Sequence, residues 1–142
     1  MRFIILFIIT FSLFNGPSLA NDRDSIMTET IIAHLAKLKR EKKFTESSKY
    51  FYPGAPNEKI RLKAENIINN LITRLEVGSQ QETTKSFVMS QFKLTLDELV
   101  TFDSEEADRA LMYLENIMDI YGIQSSDGLL NEWRYGFDPE LK

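Results

Sequence analysis

Between Asp103 and Phe137 the chain carries its clearest amphipathic pattern, and that pattern restricts the fold to helices packed on helices. Ala107, Ala110, Leu111, Leu114, Ile117, Met118 and Tyr121 recur three or four apart, the spacing that lines one face of an α-helix. Asp103 and Glu106 have the separation of a capping box, in which two side chains satisfy each other's free amides. Gly122 supplies the stop. Beyond it Ser125 or Ser126 opens a short helix carrying Leu129, Leu130 and Trp133, the only tryptophan, whose ring is expected mostly in the core. Gly136 and Asp138-Pro139 end that helix. The remaining helices are expected to pack against this stretch.

Three earlier segments repeat the period. Asp24 or Ser25 caps a helix from about Ile26 to Lys43, with Met27, Ile31, Ile32, Leu35 and Leu38 inward. Lys37, Lys39, Arg40, Lys42 and Lys43 crowd its last turns, where cations complement the helix dipole. Asn57 caps the second helix, whose buried face is Ile60, Ala64, Ile67, Ile68, Leu71, Ile72 and Leu75, with Gly78 at the position after its end. Ser79 and Glu82 form a further capping box for a third helix, with Phe87, Val88, Gln91, Phe92, Leu96, Leu99 and Val100 on its apolar side and Thr95 and Asp97 marking a bend or break. No segment alternates as a half-buried strand does. Short connections at Gly78 and Asp103 fold successive helices back on each other. The expected fold is all-α: a single-domain bundle of four main helices plus a short C-terminal helix over residues 21–142, after a cleaved signal peptide at 1–20. The length of 142 residues suits one domain.

The leader is read from Arg2, the apolar run Phe3–Phe14, Gly16-Pro17 and the small residues Ser18 and Ala20. A run of about twelve apolar residues is too short to span a bilayer, so cleavage after Ala20 is expected, leaving no stable membrane span. The chain has no cysteine and no Asn-x-Ser/Thr sequon. Together these favour a bacterial periplasmic or secreted protein.

Charge is unevenly placed. From His34 to Lys63 nine Lys or Arg face three Glu, a local balance of +6, whereas from Asp97 onward three Lys or Arg face twelve acids, a balance of −9. An acidic half steers a basic partner and opposes nucleic acid. Thiolate sites are excluded by composition, and the single His34 cannot share a metal with a second histidine, so no metal and no cofactor is expected. No G-x-S-x-G, phosphate loop or calcium loop occurs.

Three features carry what chemistry there is. Tyr50-Phe51-Tyr52-Pro53-Gly54 is an aromatic loop that either folds down as a lid on the bundle or lines a binding surface, the lid being favoured. Glu115 and Asp119, four apart, share one helix face and have the residue types of a general acid and base. The plainer reading, which is favoured, is a wet face opposite Leu111, Leu114 and Met118, screened by Arg109 or lysines. Finally Asp127, Asn131, Trp133, Arg134 and Tyr135 bring together side chains common at binding hot spots, with Arg134 or Tyr135 expected to pair with Asp127 or Glu132.

The string YLENIMDIYGIQSSDGLLNEWRYGF at 113–137, with TTKSFVMSQFK at 83–93, resembles a bacterial family of small exported proteins known as domain of unknown function 4844. The resemblance covers most of the chain after the leader, clearest from Asn57 onward. It implies a helical domain and no reaction, ligand or partner. The functional expectation is a non-enzymatic exported helical binding domain, inhibitor or immunity-like. It would engage a basic protein of the bacterial envelope through its acidic C-terminal half, with Tyr50, Tyr52, Asp127, Asn131, Arg134 and Tyr135 as binding candidates. The alternatives are a small envelope hydrolase using Glu115 and Asp119, or a purely structural, oligomerising bundle.

Overall fold

The computed structural model describes residues 19–137; most of the expected signal peptide and the Asp138-Pro139 stop lie outside the described residues. Five helices follow one another: α1 (Leu19–Arg40), α2 (Glu58–Gly78), α3 (Lys85–Leu99), α4 (Ser104–Tyr121) and the short α5 (Leu129–Tyr135). Among the described residues there is no β-strand, only an isolated antiparallel bridge between Ser47 and Tyr52. None of the described helices is long and apolar enough to cross a membrane. The all-helical bundle expected from the periodicity is therefore what forms.

The core is built from the apolar stripes. Ile31, Leu35 and Leu38 of α1 meet Ala64, Ile67, Ile68, Leu71, Ile72 and Leu75 of α2, with Val88, Phe92, Leu96 and Leu99 of α3 and Ala110, Leu114, Ile117 and Met118 of α4. Helix α4 packs against α1, α2, α3 and α5, so the stretch after Asp103 does organise the bundle. A wide apolar stripe on α2 matches its contacts with three neighbours.

Several helix ends follow the local chemistry. The Asn57 side chain accepts from the Ile60 amide at 3.0 Å, Asp103 accepts from the Glu106 amide at 3.4 Å, and Gly122 closes α4 in the left-handed region at φ 68°.

Others are decided by tertiary contacts. Helix α1 runs through Asp24 and Ser25 and stops at Arg40, not Lys43. Lys43 folds back instead, fully buried. Its Nζ donates to the carbonyls of Leu38 (2.6 Å), Glu41 (2.9 Å) and Lys39 (3.3 Å), at and just past the helix end. Burial lowers its pKa, against the pull of Glu65 and Glu41. Gly78 ends α2 inside the helix rather than beyond it. A Cβ there would lie 2.1 Å from Cζ of Phe87, so glycine is needed for close approach of α3 and not for a left-handed turn. Ser79 does not form a capping box. It is buried and shares a 2.5 Å hydrogen bond with the Tyr121 hydroxyl, and Thr84 caps α3 by accepting from the Phe87 amide at 3.2 Å. Thr95 does not break α3: its hydroxyl donates to the Gln91 carbonyl at 3.1 Å and accepts from Arg74 at 2.7 Å. Val100, past the helix end, is exposed.

At the C-terminus Gly128, at φ 82°, occupies the N-cap of α5. Ser126 serves the first amides from one turn back, its Oγ accepting from Leu130 at 3.3 Å and its carbonyl from Leu129 at 3.2 Å. Trp133 is only half-buried. It borders two surface clefts, one with Leu99, Val100 and Phe102 and the other with Lys93, Leu96 and Leu129.

Candidate functional site

The connection from α1 to α2 forms the most unusual surface. Its base is fixed by ionic contacts: Glu65 Oε2 accepts from the Lys43 amide at 2.6 Å and from Arg61 Nη1 at 2.8 Å, and Arg61 also donates to the Lys43 carbonyl at 3.1 Å. Phe44 then turns at φ 57°, its ring buried 5.2 Å from that of Tyr113 and its amide donating to the Tyr113 hydroxyl at 3.2 Å. Ser47 and Tyr52 exchange backbone hydrogen bonds of 2.8 and 3.1 Å. They close a tab around the 3-10 turn Ser48–Tyr50.

The tab sorts its aromatic residues. Tyr52 points inward and is buried, its hydroxyl donating to Glu106 Oε1 at 3.0 Å. Phe51 takes the left-handed conformation at φ 50° and is 94% exposed. Tyr50 lies between, at the surface. The loop is thus divided: Tyr52 folds down onto the bundle, whereas Phe51 and Tyr50 face outward.

Below it lies Arg109 of α4. Its guanidinium carbon sits 4.5 Å from the Tyr50 ring centroid, 4.7 Å from Tyr113 and 5.9 Å from Tyr52, distances at which a cation is held by aromatic faces. Its Nε is buried without a hydrogen-bond partner. Arg109 therefore does not screen Glu115 and Asp119, as the sequence suggested; it belongs to the tyrosines. Around this cluster burial, then the neighbouring Asp103, pushes the Glu106 carboxyl above its ordinary range, with the Tyr52 hydroxyl opposing. The hydrogen bond with Glu106 holds Asp103 below its range. Burial and Glu106 hold the Tyr52 phenol well above its own. Lys49 and, less strongly, Arg109 lower that of Tyr50. Tyr50, Phe51, Tyr52 and Pro53 with Glu105, Asp108, Arg109 and Met112 enclose a cleft of about 200 Å³.

The remaining candidates fall in other places. Arg134 pairs with Asp108, not with Asp127 or Glu132, tying α5 to the edge of this cleft; its guanidinium lies 5.6 Å from the Tyr135 ring, which is exposed. Asp127, at φ 52°, pairs with Lys85 at 2.6 Å. Asn131 lines a second, polar groove of about 450 Å³ together with Glu115, Asp119, Gln124, Ser125 and Ser126. Glu115 and Asp119 are exposed, as a wet face should be, yet both border that concavity. Of the six binding candidates, Tyr50 and Tyr52 line the aromatic cleft, Asn131 the polar groove and Asp127 the Lys85 pair, while Arg134 and Tyr135 lie together beside Asp108. Among the described residues no group of three potential ligands could hold a metal ion.

Sequence reasoning missed Glu106, Asp108, Met112 and Tyr113 as parts of a site. Only one signal was available for them: Tyr113 and Glu106 are polar groups on a face that otherwise reads as core.

Against known proteins, the model of the family described as "Domain of unknown function (DUF4844)" matches residues 26–138. No curated protein matches the chain. Among solved structures, the crystal structure of a DUF3571 family protein from Acinetobacter baumannii AYE is similar in fold, with a TM-score of 0.70 and 23% identity over 78% of this chain and 93% of that one.

Proposed function

This chain belongs to the DUF4844 family, and from that premise we propose that it is an exported, non-enzymatic helical domain that binds a basic protein of the bacterial envelope, as an inhibitor or immunity protein does. Phe51 carries the reading. A non-glycine residue in the left-handed region costs about 1–2 kcal/mol. A Phe side chain left in water forgoes roughly 1.5–3 kcal/mol of burial. Both costs fall on one residue, at the tip of a tab whose next residue is anchored to the core. Strain and exposed apolar surface together mark a position shaped for something other than stability. The acidic half, with its balance of −9 from Asp97 onward, sets the charge of the partner.

The experiment is retention of proteins from envelope extract on the immobilised mature chain, comparing wild type with Phe51→Gly. A basic protein retained at low salt, released at high salt and lost with the variant supports the reading. Retention of no basic protein at low salt, or equal retention by the variant, overturns it. Export is tested separately: the chain recovered from the periplasm should begin at Asn21.

A second reading, a small hydrolase working through Glu115 and Asp119, keeps one supporting observation, that both line the polar groove. Both side chains are exposed, whereas a glycosidase general acid is set by an apolar surround. Hydrolysis of envelope glycans that is abolished by Glu115→Gln is the result that favours it.

A further inference from the structure

The outer face of α4 joins the two concavities into one surface. Glu105, Asp108, Met112, Glu115 and Asp119 follow at spacings of three, four, three and four, and all five are exposed. That is the repeat by which one helix presents a seam to another. Fourteen rises of 1.5 Å make the seam about 21 Å long. Its first part walls the aromatic cleft beside Phe51, and its last part walls the polar groove. At its centre is Met112, at 36% exposure an adaptable apolar side chain.

We infer that this face, with Met112 at its middle and the Phe51 ring beside its N-terminal end, is the docking surface for a basic amphipathic helix of the partner. The inference rests on the binding reading above and gives the partner its form. Two observations select the occupant. The exposed apolar positions are two and isolated, Met112 at the centre and Phe51 at the N-terminal end, so the partner needs one apolar side chain against each, not a broad greasy face. The positions on either side are carboxylates, which call for Lys or Arg at matching helical intervals. The molecule already shows such a pairing in cis: Arg134 of α5 reaches Asp108, its Nη2 at 3.1 Å from Oδ2. That internal cation competes with the partner for one carboxylate of the seam.

The probe is an alanine-based peptide of about 18 residues, with a central leucine and two lysines on each side at alternating intervals of three and four. Its control is an isomer with the same residues scattered around the helix. In 15N-labelled protein the patterned peptide should shift the amides from Glu105 to Asp119 and that of Phe51. It should bind at least tenfold more tightly than the scattered isomer. Met112→Asp, at an exposed position, should weaken binding although it adds negative charge, and Arg134→Ala should strengthen it by releasing Asp108. Equal binding of the two isomers, or tighter binding by Met112→Asp, reduces the effect to general charge attraction and overturns the inference. Retention of a basic partner that depends on Phe51 but leaves the α4 amides unshifted overturns it as well, while sparing the broader binding reading.

Discussion

Removing one oxygen, in Tyr52→Phe, tests the hydrogen bond that holds the aromatic tab to the bundle. The ring is 6% exposed and would keep its packing, so the loss is confined to the 3.0 Å bond to Glu106 Oε1. Glu106 is itself 2% exposed. A buried acceptor stripped of its donor costs about 1–3 kcal/mol, toward the upper end when it is ionised. For a chain of this size that is about 3–5 °C of Tm per kcal/mol. The cost should depend on pH, with a definite sign. Burial raises the Glu106 pKa above its ordinary 4.5, so the folded state holds this proton more tightly than the unfolded state. Stability from this group is therefore complete below the unfolded value and lost as pH rises through the folded one. The phenol donor favours the ionised carboxylate, since it lowers that raised pKa. Tyr52→Phe should accordingly cost more at pH 7 than at pH 4. Glu106→Gln, whose amide oxygen can still accept from Tyr52, should remove the Glu106 share of the slope between those values. Asp103 acts in the other direction and at lower pH: its pKa is held below its ordinary 3.8, so its contribution is lost only as pH falls through that depressed value. Urea unfolding followed by circular dichroism at pH 4 and pH 7 measures the cost of Tyr52→Phe and the slope in Glu106→Gln. An equal cost of Tyr52→Phe at both pH values, or an unchanged slope in Glu106→Gln, refutes the argument.

Gly78→Ala places a methyl 2.1 Å from the Phe87 ring and should destabilise by about 1–3 kcal/mol through overpacking, with partial rescue by Phe87→Leu in the same chain; thermal unfolding of the single and double variants decides it. Lys43→Met removes the donor shared by three carbonyls at the end of α1 and should cost about 1–3 kcal/mol in urea unfolding, despite the greater apolarity of the new side chain. Phe51→Gly suits the left-handed backbone at φ 50°, so its Tm should be unchanged or higher, by up to about 1 kcal/mol of added stability. A lower Tm would show that the exposed ring contributes to the fold.

The fold was legible because its information is local. Period and capping residues suffice for the start of α2 and both ends of α4, where Asn57, Asp103 and Gly122 act through their own or adjacent turns. Two of the misplaced boundaries come from a contact across the chain. Lys43 looks like any cation of a last turn until α2 brings Glu65 against its backbone. Ser79 and Glu82 have the spacing of a cap, but Tyr121, distant in sequence, claims the serine. The site was less legible for the same reason. Tyr50 and Tyr52 could be picked from the aromatic run, yet which ring faces inward is fixed by the Ser47–Tyr52 bridge and by Glu106. Arg109 lies on Tyr50, 59 positions away, only because the tab and α4 meet in the folded state. Asp127, Asn131 and Arg134 are close in sequence but meet different partners: Asp127, ahead of α5 at φ 52°, pairs with Lys85, Asn131 borders the polar groove, and Arg134 reaches Asp108 on α4.

Because α4 touches each of the other helices, none of them can detach without uncovering it. Backbone amides from Ala110 to Ile117 should therefore exchange with deuterium only when the whole molecule opens, while those near the exposed start of α1, from Asp22 to Thr30, exchange through local fraying. The outer surface of α4 is thus borne by the stiffest rod in the molecule. A ligand arriving there has little protein motion to arrest, so association should show a small entropic penalty from this side of the complex.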